Sequence, residues 1–232
     1  MGTGLEMRLR TTGLLIGAAM LSVLAGCSNN PAPLDLRGLA RDALQNMSGQ
    51  APAAAPLAAP EAVLAATEAS VIVMETARGD RLYLLGLRDN GPYRTYVTAT
   101  RQTLTLRDGM ITGTRGLGQD MMASDSAEVT ALLRKGRPGQ ASRRLEVLDG
   151  DDRTRVIVLD CVIAKGGTGL TPLATPLPAG RPMTETCTGS QGDAAGLRFT
   201  NHYLIDRAGR IILSRQWLPS LTGPVDLQIL RD

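Results

Sequence analysis

Three cysteines, one histidine and a few Asp, Arg and Trp positions are the residues of this chain equipped for chemistry. Cys27 closes the run Leu24-Ala25-Gly26-Cys27, which ends an uncharged apolar stretch that begins at Gly13 and follows Arg8 and Arg10. Basic residues, an apolar run, small residues and then a cysteine form the order of a bacterial lipoprotein signal, in which the cysteine sulfur is acylated and becomes the first mature residue. The apolar stretch falls short of the roughly 20 residues that a spanning helix needs. An ordinary secretory signal with an incidental cysteine is the other reading. Either Met1 or Met7 can start the signal, and Met7 gives the more typical one.

With Cys27 lipidated, Cys161 and Cys187 remain, and two cysteines allow a single pairing. An oxidising compartment favours a structural disulfide between them. It would close a segment rich in Gly, Pro and Thr, for which chain entropy gives about 3 kcal/mol of stabilisation. Two buried free thiols, or a redox pair, are the alternatives, but the spacing is unlike C-x-x-C. A single histidine, His202, excludes a His-ligated metal cluster or a His pair within one chain. Between Asn201 and Tyr203 it reads as a hydrogen-bonded structural residue.

Asp149-Gly150-Asp151-Asp152 lacks the ligand spacing and distal Glu of a calcium loop and reads as a solvated turn. Nucleophile elbow, phosphate loop and paired-cysteine zinc spacing are all missing. The expectation is therefore a chain with no catalytic residues, no metal and no cofactor. Two segments stay open to binding. Arg115-Gly116-Leu117-Gly118 is either a backbone nest for an anion or two glycines releasing a strand into a helical turn. In Arg215-Gln216-Trp217 the Trp either packs at a core or edge, or stacks on a sugar ring. Arg115, Arg215 and Trp217 are the expected contacts for a partner or a glycan.

Composition narrows the class further. The chain has 232 residues, 43% of them apolar, enough for an independent core. Its 25 basic and 22 acidic residues leave a net charge of +3 with no dense basic stripe, which argues against nucleic acid as a partner. Six aromatics are too few for a base-stacking platform.

The elements that must position these residues are mostly strands. Val71–Met74, Arg81–Leu87, Tyr93–Thr98, Thr103–Leu106 and Met110–Thr112 form a first group, with turns at Asn90-Gly91-Pro92 and Asp108-Gly109. Asp-Gly between alternating runs is a strong hairpin signal, because a tight primed turn needs positive φ. Leu145–Leu148 and Val156–Val162 flank the acidic turn, Leu197–Ile205 and Ile211–Leu218 flank Arg207-Ala208-Gly209, and Val225–Ile229 closes the chain. Asp125 with Glu128 resembles a capping box ahead of a helix that ends at Gly136. The fold class expected is mainly β: an antiparallel sandwich or open barrel with one or two short helices packed against it. Residues 1–26 read as the signal peptide. Residues 27–60 read as a lipidated tether with a short helix from Asp35 and an Ala/Pro linker, and 61–232 as the β-rich body.

The order of the lipobox at Cys27, the stretch Tyr96–Ser124 (YVTATRQTLTLRDGMITGTRGLGQDMMAS), Asn201–Leu218 (NHYLIDRAGRIILSRQWL) and the closing strand resembles the group 4 capsule polysaccharide lipoproteins of the YjbF/GfcB type. The resemblance covers nearly the whole chain, although Arg134–Arg153 and the segment between Cys161 and Cys187 carry no family motif. It implies a non-enzymatic accessory or assembly factor in exopolysaccharide or capsule production or export. Its implied partners are an outer-membrane β-barrel, other export components and the polysaccharide itself. No catalytic residue carries over. A direct polysaccharide-binding module, or a periplasmic enzyme acting on polysaccharide, are the other readings. Ser28 rather than Asp after Cys27 points to the periplasmic face of the outer membrane, held by the lipid anchor.

Overall fold

The computed structural model describes residues 57–232, apart from 152, 168, 177–178, 190–191 and 220–222. Cys27, the helix expected from Asp35 and most of the Ala/Pro linker lie outside the described residues.

Twelve strands form one antiparallel sheet. They are β1 (Val71–Thr76), β2 (Arg81–Asn90), β3 (Tyr93–Val97), β4 (Thr103–Arg107), β5 (Met110–Arg115), β6 (Met121–Asp125), β7 (Gly139–Leu148), β8 (Thr154–Lys165), β9 (Arg181–Thr188), β10 (Arg198–Ile205), β11 (Ile211–Gln216) and β12 (Val225–Arg231). Among the described residues two α-helices accompany them, α1 (Pro60–Ala66) and α2 (Ala127–Lys135). Neighbours in sequence are neighbours in the sheet except β5 and β6, which lie at its two ends, and β1 pairs with β12, which brings the chain's two halves side by side. The free edges, β5 and β6, then meet, and the sheet is a nearly closed barrel.

The β5–β6 seam is stitched by side chains instead of a ladder. Thr114 Oγ1 accepts from Met121 N at 2.9 Å, and Arg115 Nη1 donates to Met121 O at 3.1 Å. An open edge is a liability in a β protein; here each edge covers the other.

The expected hairpins form. At the β4–β5 turn Asp108 has φ 52° and Gly109 φ 84°, the positive values of a primed turn. Gly109 is needed for space as well, since a Cβ there would sit 2.6 Å from Ile211. That close approach presses the β4–β5 turn against β11. Gln216 secures it from inside, donating Nε2 to Gly109 O at 2.9 Å and accepting at Oε1 from Ile111 N at 3.0 Å.

Alternation along the strands fills the interior. Ile157, Leu159, Cys161 and Ile163 on β8, Met183 and Cys187 on β9 and Tyr203 and Ile205 on β10 are buried. Among them lies a fully enclosed ion pair: Arg143 Nη1 stands 3.2 and 3.1 Å from the two Glu185 carboxylate oxygens. Tyr203 Oη (2.6 Å) and Asn201 Nδ2 (2.7 Å) donate to the same carboxylate. A buried charge persists only with such satisfaction. Burial, and then the negative charge of Glu185, push the Tyr203 hydroxyl well above its usual pKa.

Two strands escape sequence reading. The segment after Arg115-Gly116-Leu117-Gly118, read as a helical turn, is β6, because pairing with β7 (Met121 to Val147, Asp125 to Arg144) outweighs local preference. β9 lies in the Gly/Pro/Thr-rich segment and is held between β8 and β10. The capping box also does not form. Ser126 holds the N-cap position without a side-chain cap bond, Asp125 Oδ1 accepts from Ala127 N at 3.3 Å, and Glu128 accepts from Ser142 N of β7 at 3.1 Å. Glu128 is thus used to tie α2 to the sheet. Gly136 ends α2 in the left-handed conformation, φ 61°, as expected.

The β8–β9 connection crosses the outer wall as a strap. Leu173 and Ala174 are buried, and their backbone N–H groups both donate to Gln228 Oε1, at 2.8 and 3.0 Å.

Candidate functional site

Cys161 and Cys187 are register partners on β8 and β9 and form a disulfide facing the interior. Among the described residues, one group of metal-ligating types gathers: Cys161, Glu185 and Cys187. Its sulfurs are bonded to each other and its carboxylate is taken by Arg143, Tyr203 and Asn201.

The acidic turn is held by its own backbone, Asp149 Oδ1 accepting from Asp151 N and Arg153 N at 2.9 Å each. The glycine pair after Arg115 does form a concave backbone turn, with Gly116 at φ 76° and Gly118 at φ 110°. Its N–H groups are already occupied: the Asp120 carboxylate accepts from Gly116 N at 2.8 Å and Leu117 N at 3.3 Å. The anion of this nest belongs to the chain itself.

His202 lies on the outer face of β10, in a cross-strand row with Thr184, Arg215, Asp226, Glu75 and Arg81. Arg215 pairs with Asp226 at 3.5 Å and Arg81 with Glu75 at 2.6 Å. The strap covers part of this row, its Gly169 packing on the imidazole, and His202 Nδ1 is buried without a hydrogen-bond partner among the described residues. Burial, reinforced by Arg215 and opposed by Asp226, holds His202 below the usual imidazole pKa.

The three expected contact residues do not converge. Arg115 and Arg215 point outward from β5 and β11, which are six strands apart in either direction round the barrel. Trp217 leaves the end of β11 and stacks on Phe199, ring centroids 4.4 Å apart and 14° from parallel, half-buried against the core.

What converges instead lies around Tyr93, a residue that sequence reading placed only as the start of a strand. A cleft of about 540 Å³ is lined by Asp89, Arg94, Tyr96, Asp108, Arg210 and Asp232, among others. Its carboxylates are tied to guanidinium groups: Asp89 to Arg94 (2.6 Å), Asp232 to Arg94 (2.7 Å) and Arg210 (3.1 Å), and Asp108 to Arg134 (2.9 Å). Hydrogen bonding to Arg94 holds the Asp89 carboxyl below the usual range. Beside it a groove of about 430 Å³ runs along the seam, with Gly113 in its floor and Thr95, Thr103, Thr105 and Arg115 on its wall. A third depression, about 220 Å³, continues past Arg107, Ser124 and the start of α2. Tyr93 lines all three. Arg107 lies over its ring, 5.6 Å from the centroid. The signal in the sequence was the alternation itself: Thr95, Thr103 and Thr105 occupy outward positions on β3 and β4, where an apolar face would be equally good strand material.

Comparison with known proteins places the fold. The family model described as group 4 capsule polysaccharide lipoprotein gfcB, YjbF, matches residues 41–230. A crystal structure of the hypothetical lipoprotein YmcC from Escherichia coli (K12) is similar, with a TM-score of 0.63 at 15% identity, covering 87% of this chain and 98% of that one. A search of curated proteins finds no match.

Proposed function

Since the chain belongs to the group 4 capsule polysaccharide lipoprotein family, YjbF, we propose that it is a lipid-anchored, non-catalytic accessory of capsule or exopolysaccharide production or export. The family match over residues 41–230, with a lipobox cysteine upstream at Cys27, is the observation that carries this reading. Acyl chains on Cys27 hold the body at the periplasmic face of the outer membrane, with Ser28 as the sorting residue. The barrel works there by docking, its partners being an outer-membrane β-barrel and other export components.

The ion pairing of the cleft beside Tyr93 supports a non-enzymatic role. Cleavage of a glycoside takes a carboxyl kept protonated near neutral pH opposite a second carboxylate. Asp89, Asp108 and Asp232 are each ion-paired with arginine, and hydrogen bonding to Arg94 holds the Asp89 carboxyl below the usual range. A second reading, direct binding of the polysaccharide by the body, is favoured by the three depressions that meet at Tyr93.

Deleting the gene and complementing it tests the proposal. Surface polysaccharide should fall on deletion and return with the wild-type gene, and the tagged protein should copurify with an outer-membrane barrel from detergent extracts. Unchanged surface polysaccharide after deletion would refute it.

A further inference from the structure

We propose that the depressions joined at Tyr93 form one track for an acidic polysaccharide chain, a reading that rests on the family's link to capsule polysaccharide. The shape suits a polymer. Two depressions follow one another along the outer face of β3–β6, the larger cleft, lined also by Arg210 and the end of β12, adjoins them, and the Tyr93 ring borders all three. Two of the volumes, about 540 and 430 Å³, lie within the range of ligand sites, roughly 300–1,000 Å³.

The chemistry suits sugar. An aromatic face takes the apolar face of a pyranose, and hydroxyls act as both donor and acceptor toward sugar hydroxyls. Thr95 and Thr105, hydrogen-bonded to each other at 3.2 Å, stand in the seam groove beside Thr103. The outer face of β8 makes the contrast: there Val156, Val158 and Val162 are exposed, so threonine on β3 and β4 is not simply how this chain builds an outward face.

The charge suits an acid. Arg94, Arg144 and Arg210, which line the same depressions, are each paired with a carboxylate. Among the described residues Arg107 and Arg115 have no such partner, and they border the two seam depressions. Surplus guanidinium groups spaced along a hydroxyl-lined groove match carboxylates spaced along a glycan, whose geometry an arginine fork fits.

Gly113 gives a test that removes no contact. Its φ is ordinary, and a Cβ would meet Met121 O at 3.5 Å and Thr105 Cβ at 3.8 Å, normal van der Waals distances. A valine there fits the strand and fills the groove floor.

The probe is the surface polysaccharide of the producing strain, depolymerised to short chains, in native and carboxyl-reduced forms, titrated calorimetrically into the detergent-solubilised full chain. Native chains should bind, and reduced chains should bind about tenfold or more weakly, as should native chains to Tyr93→Ala, Gly113→Val and the Arg107→Gln/Arg115→Gln pair. Arg215→Gln, on the far wall, should bind as wild type. Unfolding midpoints close to wild type show that the variants are folded, and Tyr93→Phe should keep most of the affinity. No heat with either form, or equal affinity for wild type and Gly113→Val, overturns the track. Such a failure alongside a deletion that still removes surface polysaccharide defeats the track alone and leaves the accessory role standing. Binding as expected, with surface polysaccharide unchanged on deletion, does the reverse.

Discussion

At the scale of single residues, the polar groups inside the barrel have the sharpest consequences. Glu185 accepts from Arg143, Tyr203 and Asn201 in a space without exposed neighbours, and Arg143 is raised in pKa because burial, which opposes its charge, is outweighed by Glu185 and Tyr203 together. Removing one member leaves an uncompensated charge, so Glu185→Ala is expected to cost about 3–5 kcal/mol in urea unfolding, and replacing Arg143 and Glu185 together by apolar residues should recover much of it. His202 gives a pH dependence. Its folded pKa is depressed, so its contribution to stability is complete above its unfolded value and is lost as pH falls through the folded one. Asp226, raised by burial, acts with the opposite sign. The midpoint of thermal unfolding should therefore fall more between about pH 7 and 5 in the wild type than in His202→Gln, in which the Asp226 contribution is retained. On sequence alone Arg215-Gln216-Trp217 and the Arg115-Gly116-Leu117-Gly118 turn stood open to binding. Their meaning is structural: Gln216 pins the β4–β5 turn to β11, and the turn is filled by Asp120.

At the scale of elements, the seam and the strap are the two weak points. Thr114→Val removes the acceptor for Met121 N and a donor to Asp120, and should cost about 1–2 kcal/mol while speeding amide exchange at Met121. The disulfide ties β8 to β9 and closes the strap between them, so a Cys161→Ser/Cys187→Ser pair should lose about 2–4 kcal/mol and expose the strap to proteolysis. Ten of the strands were legible from alternation and turn residues. β6 and β9 were not, since each is short of local signal and owes its conformation to neighbours already in the sheet. The capping box failed for a similar reason: Glu128 finds Ser142 N, a partner that exists only once α2 lies on β7.

At the scale of the whole molecule, the lipid anchor proposed at Cys27 carries a prediction of its own. Acyl chains contribute about 0.8 kcal/mol per buried methylene, so one chain holds marginally and two or more hold firmly. Cys27→Ser should therefore move the protein from the membrane to the soluble fraction, read by fractionation and by loss of palmitate labelling, while the unfolding midpoint of the body stays the same.

The sequence alone determined what depends on neighbouring residues: the lipobox, the hairpin turns with positive φ, the alternation of strands, and a single possible pairing for Cys161 and Cys187 once Cys27 is set aside. The tertiary structure decided what depends on residues distant along the chain. It brought β1 beside β12 and β5 beside β6, and it set Arg115 and Arg215 on opposite walls. It also gathered Tyr93, Arg107 and Gly113 at one groove. Which outward side chains share a surface follows from how the sheet closes on itself, and closure is a property of all twelve strands together.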